Sequence, residues 1–195
     1  MKRRSASNDF VEFEDLLRRW NGTINLIAAK DERSIRQRHI EDSLQLVPLI
    51  PPGTERAIDL GSGAGFPGLI LAAATGISVE LIEPDHRKAA FLREATRLLG
   101  ASAQVHVARA EDVRLKPAVL VTARALARLP RLLQLAAPLL ASDGTCLFLK
   151  GATVESELTD ASVQWHMRVE RIPSRTAPGA VILRITELQR VKHQA

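Results

Sequence analysis

The first quarter of the chain places apolar residues at helical spacing. The apolar side chains that recur at three- and four-residue steps are Phe10, Phe13, Leu16, Leu17 and Trp20. This spacing predicts an amphipathic helix, which ends at Asn21-Gly22 because glycine readily adopts the left-handed conformation of a helix end. A second helix is predicted from about Asp31 to Leu49, before Pro51-Pro52-Gly53. Residues 1–52 are therefore expected to form a helical N-terminal cap.

From residue 56 onward, short apolar strands alternate with helices. The predicted strands are Ala57–Leu60, Ile77–Ile82, Gln104–Ala108, Ala118–Ala123, Thr145–Leu149, Trp165–Ile172 and Ala180–Leu188. The predicted helices are Pro67–Thr75, His86–Leu99 and Leu129–Leu140. This alternation predicts a parallel sheet covered on both faces. The last two strands, joined through Pro178-Gly179, suit an antiparallel pair at the sheet edge. Residues 53–195 are thus expected to form a doubly wound, mostly parallel α/β domain.

A glycine-rich turn, Asp59-Leu-Gly-Ser-Gly-Ala-Gly65, follows the first predicted strand. Open α/β sheets bind ligands beyond the carboxyl ends of their strands, where the strand order reverses. Glycines at alternate positions, here Gly61, Gly63 and Gly65, let the backbone approach a ligand that a side chain would exclude. The turn is therefore the candidate cofactor site.

Two ligand classes and a purely structural turn compete as interpretations of this sequence. A dinucleotide site requires Gly-x-Gly-x-x-Gly directly after the strand. Counted from Gly61, the sixth position is Phe66, and the pattern that starts at Gly63 begins late. The spacing Asp-x-Gly-x-Gly-x-Gly is that of S-adenosylmethionine enzymes, in which an acidic residue near the turn meets the cofactor's ammonium group. We therefore expect S-adenosylmethionine, with Asp59 as its ammonium contact.

Two later strand ends carry further candidate cofactor contacts. Glu83 ends the next strand, about 20 residues past the first glycine, where an acidic group accepts hydrogen bonds from ribose hydroxyls. Dinucleotides also carry a ribose, so Glu83 does not separate the two classes. Ala110 and Glu111 follow the third strand, where methyltransferases close over the adenine.

The residues at the end of the fourth strand, around Arg124, restrict the kinds of methyl acceptor that the site can use. It lacks the Asp/Asn-Pro-Pro-aromatic sequence of enzymes that methylate exocyclic base amines, and the single cysteine, Cys146, is a poor nucleophile in a strand expected to be buried. A target atom with its own lone pair remains, and N7 of guanine is one. Arg124 is a candidate for holding the cofactor carboxylate, a phosphate or the guanine edge; a structural ion pair is the alternative.

The remaining polar candidates lie in the second helix and after the fifth strand. The second helix carries Arg33, Arg36, Arg38, His39, Glu41 and Asp42. His39 and Asp42 share one helical face, which indicates a site-shaping pair. Arg36, Arg38 and Lys150 are the predicted RNA contacts. Arg124, Lys150 and His39 are candidates for positioning the reactants, and no catalytic group is identified.

Composition and charge narrow the class of protein. The chain has 195 residues, 46% of them hydrophobic, and one cysteine, which rules out a disulfide framework or a cysteine-based metal cluster; no metal is expected. The basic start, Met1–Ser5, is followed by no apolar run, so a secretory signal is not expected and the cytoplasm is the default. A monomer without membrane contact is expected. The net charge of +5 favours polyanionic partners.

Taken in order, these residues resemble a known family, glucose-inhibited division protein B, the small-subunit ribosomal RNA guanine-N7 methyltransferases G. The matching sequences are Trp20-Asn21, Asn25-Leu26, Arg38-His39-Ile40, Asp42-Ser43, Asp59–Gly68, Arg87-Lys88, Phe91-Leu92, Arg124-Ala125 and Leu149-Lys150-Gly151. The resemblance implies a seven-stranded class I methyltransferase sheet whose last strand is antiparallel. It also implies S-adenosylmethionine as donor and N7 of a guanine in 16S ribosomal RNA of the small subunit as acceptor.

Carried over position by position, the family's cofactor contacts fall on Gly61, Phe66, Ala110, Glu111 and Arg124. Three positions depart from the family's pattern, namely Glu83-Pro84 for Asp-Ser, Ala123 for serine and Ala110 for a larger apolar residue. The residues alone leave two other functions open. One is methylation of a small molecule or a protein, and the other is a non-catalytic nucleotide-binding or assembly role.

Overall fold

A mixed sheet of seven strands organises residues 6–191, the part of the chain that the computed structural model describes. The strands are β1 (Arg56–Leu60), β2 (Ser78–Ile82), β3 (Ala103–His106), β4 (Ala118–Arg124), β5 (Leu140–Lys150), β6 (Trp165–Pro173) and β7 (Val181–Arg190). Their order is β3-β2-β1-β4-β5-β7-β6. β1 to β5 are parallel, and β7 is antiparallel to β5 and β6. The predicted α/β fold and its antiparallel edge pair are confirmed.

Helices cover both faces of this sheet. They are α1 (Ala6–Asn21), α2 (Asp42–Leu44), α3 (Gly68–Thr75), α4 (His86–Leu99), α5 (Leu129–Ala136) and α6 (Val154–Ser162). The helix predicted to reach Leu140 stops at Ala136, because Pro138 turns the chain into a 3₁₀ segment before β5 begins. α6 is not among the predicted helices; its few apolar positions stand in a mostly polar sequence. Within residues 6–191, no helix is both long and apolar enough to span a bilayer.

The prediction of a second N-terminal helix that is continuous from Asp31 to Leu49 is wrong in detail. The chain instead forms a 3₁₀ helix at Ala29–Ser34, a π-helix at Arg36–Glu41, the short α2 and a 3₁₀ turn at Val47–Leu49. The Ser43 hydroxyl donates to the carbonyl of His39 at 2.6 Å, a contact of the kind that bends helices. Segments of π-helix often lie at functional sites, and this one carries Arg38 and His39.

Aromatic packing attaches the cap to the α3 and α4 face of the sheet. The Phe13 ring lies 5.7 Å from that of Phe66 and 6.1 Å from that of Phe91, and Trp20 donates its indole N–H to Glu94. The Asn21 side chain accepts hydrogen bonds from two backbone amides of the following turn. The apolar cluster of the cap is continuous with that of the sheet. The division of the chain at residues 52 and 53 stays a prediction, and residues 1–5 lie outside the described range.

A second apolar cluster fills the opposite face, between the sheet and α5 with α6. The two clusters together bury the strands on both sides, as expected for a mainly parallel sheet. The strand order reverses between β1 and β4, so the carboxyl ends of these neighbouring strands form the expected place for a ligand.

The aromatic contacts of Phe13 lead to a stability prediction. Phe13→Ala should lower the free energy of unfolding by roughly 3–5 kcal/mol, because the ring is fully buried and leaves a cavity. Urea unfolding measures the effect. Val11→Ala on the same helix is the control, since Val11 is about half exposed and its truncation should cost less than about 0.5 kcal/mol. Equal losses in the two variants would contradict the proposed packing.

Candidate active site

A cavity of about 420 Å³ lies at the carboxyl ends of β1, β4 and β5. Its walls come from several parts of the chain. These are the glycine turn after β1, the ends of β4 and β5, the π-helix of the cap with Leu26 and Asp42 beside it, and the loop between β6 and β7. The structure therefore brings the predicted glycine turn and Arg124 together with Arg38, His39 and Asp42 of the second helix, whereas Arg33, Arg36 and Glu41 of that helix line a separate cavity.

Two positions of the glycine turn favour glycine by their backbone conformation. Gly61 and Gly65 have φ values of 65° and 88°, a left-handed conformation that favours glycine. A Cβ atom on Gly61 would lie 2.6 Å from Leu126, which covers the turn from the β4–α5 loop. One on Gly65 would lie 3.0 Å from Leu69. Gly61 and Gly63 line the cavity, whereas Gly65 serves the packing of the turn on α3.

Glu83 ties the glycine turn to the loop after β2. Its buried carboxylate accepts hydrogen bonds from the amides of Gly63 and Asp85, both at 2.9 Å. A carboxylate has about four lone-pair positions, so each oxygen retains capacity to accept another hydrogen bond. The predicted ribose contact is compatible with this arrangement. The same carboxylate also holds the turn in position.

Asp59 does not face the cavity, contrary to the expectation that it meets the cofactor's ammonium group. Its side chain is fully buried and accepts a hydrogen bond from the Thr122 hydroxyl at 2.7 Å. A Cβ atom on Gly68 would lie 2.4 Å from it, so the carboxyl packs directly under α3. Burial raises the pKa of Asp59 to about 6, although the Thr122 hydrogen bond opposes the shift. In this structure Asp59 supports the turn from beneath.

Arg124 is held from several sides at the end of β4. One guanidinium nitrogen donates to the carbonyl of Arg38 at 3.2 Å, lies 2.7 Å from Nδ1 of His39 and is 3.8 Å from the carboxylate of Asp42. The guanidinium carbon also lies 4.8 Å from the centre of the Phe66 ring, a cation–π contact. Burial lowers the pKa of Arg124, and Asp42 opposes that shift. The guanidinium remains charged, since arginine stays protonated in proteins.

His39 stacks on Phe66 with its ring centre 5.0 Å away and the two planes 23° apart. Burial, together with the positive charge of Arg124, lowers the pKa of His39 to about 4. The imidazole is therefore neutral near pH 7. Since Nδ1 accepts from Arg124, the proton belongs on Nε2, which has no hydrogen-bond partner and lies 4.0 Å from Asp31. The predicted site-shaping pair of His39 and Asp42 thus acts on Arg124.

Lys150 is the clearest correction among the predicted RNA contacts. Its ammonium lies 2.6 Å from Glu157 and donates to the carbonyl of Ala127 at 3.0 Å. The side chains of both ion-pair members are more than nine-tenths buried. Lys150 lines the cavity, but its charge is used to join β5 to α6. The prediction that Lys150 binds RNA or positions the reactants does not fit this setting.

The other predicted contacts are dispersed. Arg38 lines the cavity, is half exposed and pairs with Asp31 at 3.1 Å. Arg36 pairs with Glu14 on α1 at 2.8 Å and lies away from the cavity. The predicted adenine contacts, Ala110 and Glu111, line a separate cavity beside α5, and Glu111 pairs there with Arg131. These assignments stay predictions.

Two residues of the cavity wall, and a third residue that holds them from behind, were missed by the sequence analysis. Ser174 and Thr176 of the β6–β7 loop line the cavity, and the buried side chain of Gln45 contacts both hydroxyls. Gln45 lies three residues after Asp42 on the predicted helix, which is the only local signal. Nothing in the sequence links it to a loop about 130 residues later.

Cys146 is fully buried in β5, as predicted, and burial raises the pKa of its thiol. Among the described side chains of residues 10–191, no group of three or more His, Cys, Asp or Glu residues is placed to hold a metal ion. The cavity therefore provides neither a reactive thiolate nor a metal-ligand cluster among its described residues.

The buried carboxyl of Asp59 leads to a prediction about pH. Because folding raises its pKa from 3.8 to about 6, the folded state binds the proton more tightly, and stability falls as pH rises through this window. The loss is on the order of 3 kcal/mol, at about 1.4 kcal/mol per pKa unit. Asp59→Asn has no carboxyl to titrate, so the variant does not suffer this loss. The free energy of unfolding of the variant, minus that of wild type, should therefore increase from pH 4 to pH 7.

Urea unfolding at pH 4 and pH 7 measures this difference. Asp143→Asn, at an exposed position on β5, is the matched control and should show a much smaller change with pH. If the difference between Asp59→Asn and wild type were the same at both pH values, the buried carboxyl would not titrate as described.

Comparison with known proteins identifies the family. A profile of the family GidB, described as rRNA small subunit methyltransferase G, matches residues 6–179. The protein named ribosomal RNA small subunit methyltransferase G of Granulibacter bethesdensis is 52% identical over 188 residues, which cover 96% of this chain and 88% of that protein. The protein of the same name from Gluconobacter oxydans is 55% identical, with coverage of 96% and 97%.

Solved structures agree on the fold. A ribosomal protein L11 methylase from Lactobacillus delbrueckii subsp. bulgaricus superposes with a TM-score of 0.64 at 16% identity, covering 76% of this chain and 78% of that one. An O-methyltransferase from Bacillus cereus in complex with SAH gives a TM-score of 0.62 at 12% identity, with 90% of each chain covered. At such identities the likeness concerns the class I methyltransferase fold alone. The profile match and the close relatives establish that the chain belongs to the rRNA small subunit methyltransferase G family.

Proposed function

We propose that this methyltransferase transfers a methyl group from S-adenosylmethionine to N7 of a guanine in 16S ribosomal RNA of the small subunit, in the cytoplasm. One observation carries the choice of acceptor atom. The titratable side chains that line the cavity are all engaged with other groups, namely Arg38, His39, Asp42, Arg124 and Lys150. A site without a free general base suits an acceptor that carries no proton, as N7 of guanine does.

The residues around the glycine turn fit the cofactor. Gly61 and Gly63 have φ values of 65° and 54°, a left-handed conformation that favours glycine, and both line the cavity. Glu83 is within reach of the same turn, because it accepts a hydrogen bond from the Gly63 amide. We assign Gly61, Gly63, Phe66 and Glu83 to cofactor binding. The bound cofactor supplies an electrophilic methyl group on sulfonium sulfur.

Arg124 is assigned two tasks at this site. Its charge is buried beside Phe66 and the glycine turn, where it favours an anionic group such as a carboxylate or the electron-rich edge of guanine. Its rigid fork also limits the directions from which such a group can approach. Catalysis then consists mainly of alignment, which can supply roughly 7–11 kcal/mol of a barrier.

The partner is 16S ribosomal RNA, free or within the small subunit. The formal net charge of +5 favours a polyanion, and the relatives carry ribosomal RNA in their names. Arg38, half exposed, is the predicted RNA contact that is accessible and also lines the cavity, which supports its assignment to RNA binding. We retain a monomer as the working oligomeric state.

The proposed function is tested by methylation of small-subunit particles prepared from a strain that lacks this enzyme. Mass mapping of nucleosides should find 7-methylguanosine in 16S RNA after incubation with wild-type protein and cofactor. Arg124→Ala and Gly61→Asp should each lower kcat/KM by roughly 100-fold or more, because alignment is lost. Circular dichroism verifies folding of each variant.

Arg97→Gln is the control for this experiment. Arg97 lies in the last turn of α4. A crossover helix runs antiparallel to the strands that it connects, so this turn lies near the amino ends of the strands, whereas the cavity lies at the carboxyl ends. A different methylated nucleoside, or wild-type activity of either site variant, would refute the assignment.

The contact between His39 and Arg124 predicts a positioning role that can be separated from general base catalysis. His39→Asn places an amide oxygen near the position of Nδ1 and should retain most activity. His39→Leu provides no acceptor and should lower kcat/KM by roughly 10- to 100-fold, the value of a hydrogen bond to a charged group. Because the pKa of His39 is about 4, neither variant should remove an ionisation from the pH–rate profile between pH 6 and pH 8.

Loss of such an ionisation in His39→Asn would indicate that the imidazole itself transfers a proton. That result would contradict the positioning role.

A further inference from the structure

The loop between β6 and β7, residues 174–180, forms one wall of the candidate active site. Ser174, Thr176, Ala177 and Ala180 line the cavity. The loop closes on itself through backbone hydrogen bonds between Ser174 and Ala180 and between Ala180 and Ala177. It therefore contributes a defined surface at the cavity mouth.

Buried polar groups of the cap hold this loop in place. The side-chain carbonyl of Gln45 accepts a hydrogen bond from the Arg175 amide at 2.6 Å, and its amide nitrogen donates to the hydroxyls of Ser174 and Thr176. The Thr176 hydroxyl donates to Asp42 at 2.6 Å. A network of satisfied buried hydrogen bonds specifies one arrangement of the groups that it joins. The position of the loop is thus set by the cap.

Arg175 is the cation of this loop, and its side chain is exposed. Its two chain neighbours, Ser174 and Thr176, direct their hydroxyls to the cap, and its own backbone is bound by Gln45. Among the side chains that the structure describes, those of residues 10–191, Arg175 forms no ion pair. Each cation that lines the cavity does have an acidic partner within 4 Å, with Arg38 on Asp31, Arg124 on Asp42 and Lys150 on Glu157.

We propose that Arg175 binds a backbone phosphate of the RNA strand that enters the cavity, and that the pinned loop presents it there. The inference rests on the proposed function and adds the place where the substrate strand is held. A guanidinium forms paired hydrogen bonds with phosphate. Because the loop is already ordered by Gln45 and Asp42, binding does not have to order it. A phosphate contact positions the strand and reads no base.

The experiment measures binding of wild-type protein and variants to a 16S RNA transcript and to small-subunit particles across a salt series. Arg175→Gln should reduce the slope of log K against log salt by about 0.7–0.9, the value of one phosphate contact. If the salt curves of Arg175→Gln and wild type converge near 1 M salt, the variant binds RNA about five- to eightfold more weakly than wild type at 0.1 M salt. Arg175→Lys should keep the slope. Calorimetry should find the affinity for S-adenosylmethionine unchanged in both variants.

Arg97→Gln is the matched control, since it removes one exposed arginine near the amino ends of the strands, away from the cavity. A wild-type slope for Arg175→Gln, or an equal loss in Arg97→Gln, would overturn the inference while leaving methyl transfer by the wild-type protein intact. Failure of the wild-type protein to bind or methylate either RNA would overturn the proposed function, and this inference with it.

Discussion

The burial of one guanidinium is the constraint on which the candidate active site depends. A charge removed from water is tolerated only when other groups compensate for its lost hydration. Arg124 stands at the end of β4, but the groups that compensate it belong mainly to the cap, through the Arg38 carbonyl, His39 and Asp42. The cap is therefore part of the site. Without it, Arg124 would lose these three contacts and would keep its contact with the Phe66 ring.

The same contacts explain the irregular backbone of the cap. A regular α-helix places residues three or four positions apart on one face, whereas the π-helix at Arg36–Glu41 widens the turn that carries the Arg38 carbonyl and His39. Phe66 stands between the two halves of the molecule, since it packs against Phe13, stacks on His39 and lies under Arg124. The stability of the cap and the geometry of the cavity thus depend on one shared aromatic cluster.

Features with a local signal were predictable from the sequence. The strand and helix alternation, the antiparallel edge pair and the glycine turn each follow from residues that are neighbours in the chain. The errors concern side chains whose partners lie far away in sequence. Asp59 was expected to face a ligand, but Thr122 and Gly68 enclose it. Lys150 was expected to contact RNA, but α6, which was not predicted, supplies Glu157 as its partner.

The long sequence separation within the cavity wall has a consequence for synthesis of the protein. Gln45 and Arg175 are 130 residues apart, and their contact joins the first quarter of the chain to its last hairpin. The chain leaves the ribosome with its N-terminal end first, at roughly 5–20 residues per second, so the cap and the first strands are synthesised several seconds before the loop that completes the mouth. A nascent chain that stops before residue 174 carries the residues of the glycine turn but lacks one wall of the cavity. The entrance to the cavity can therefore form only near the end of synthesis.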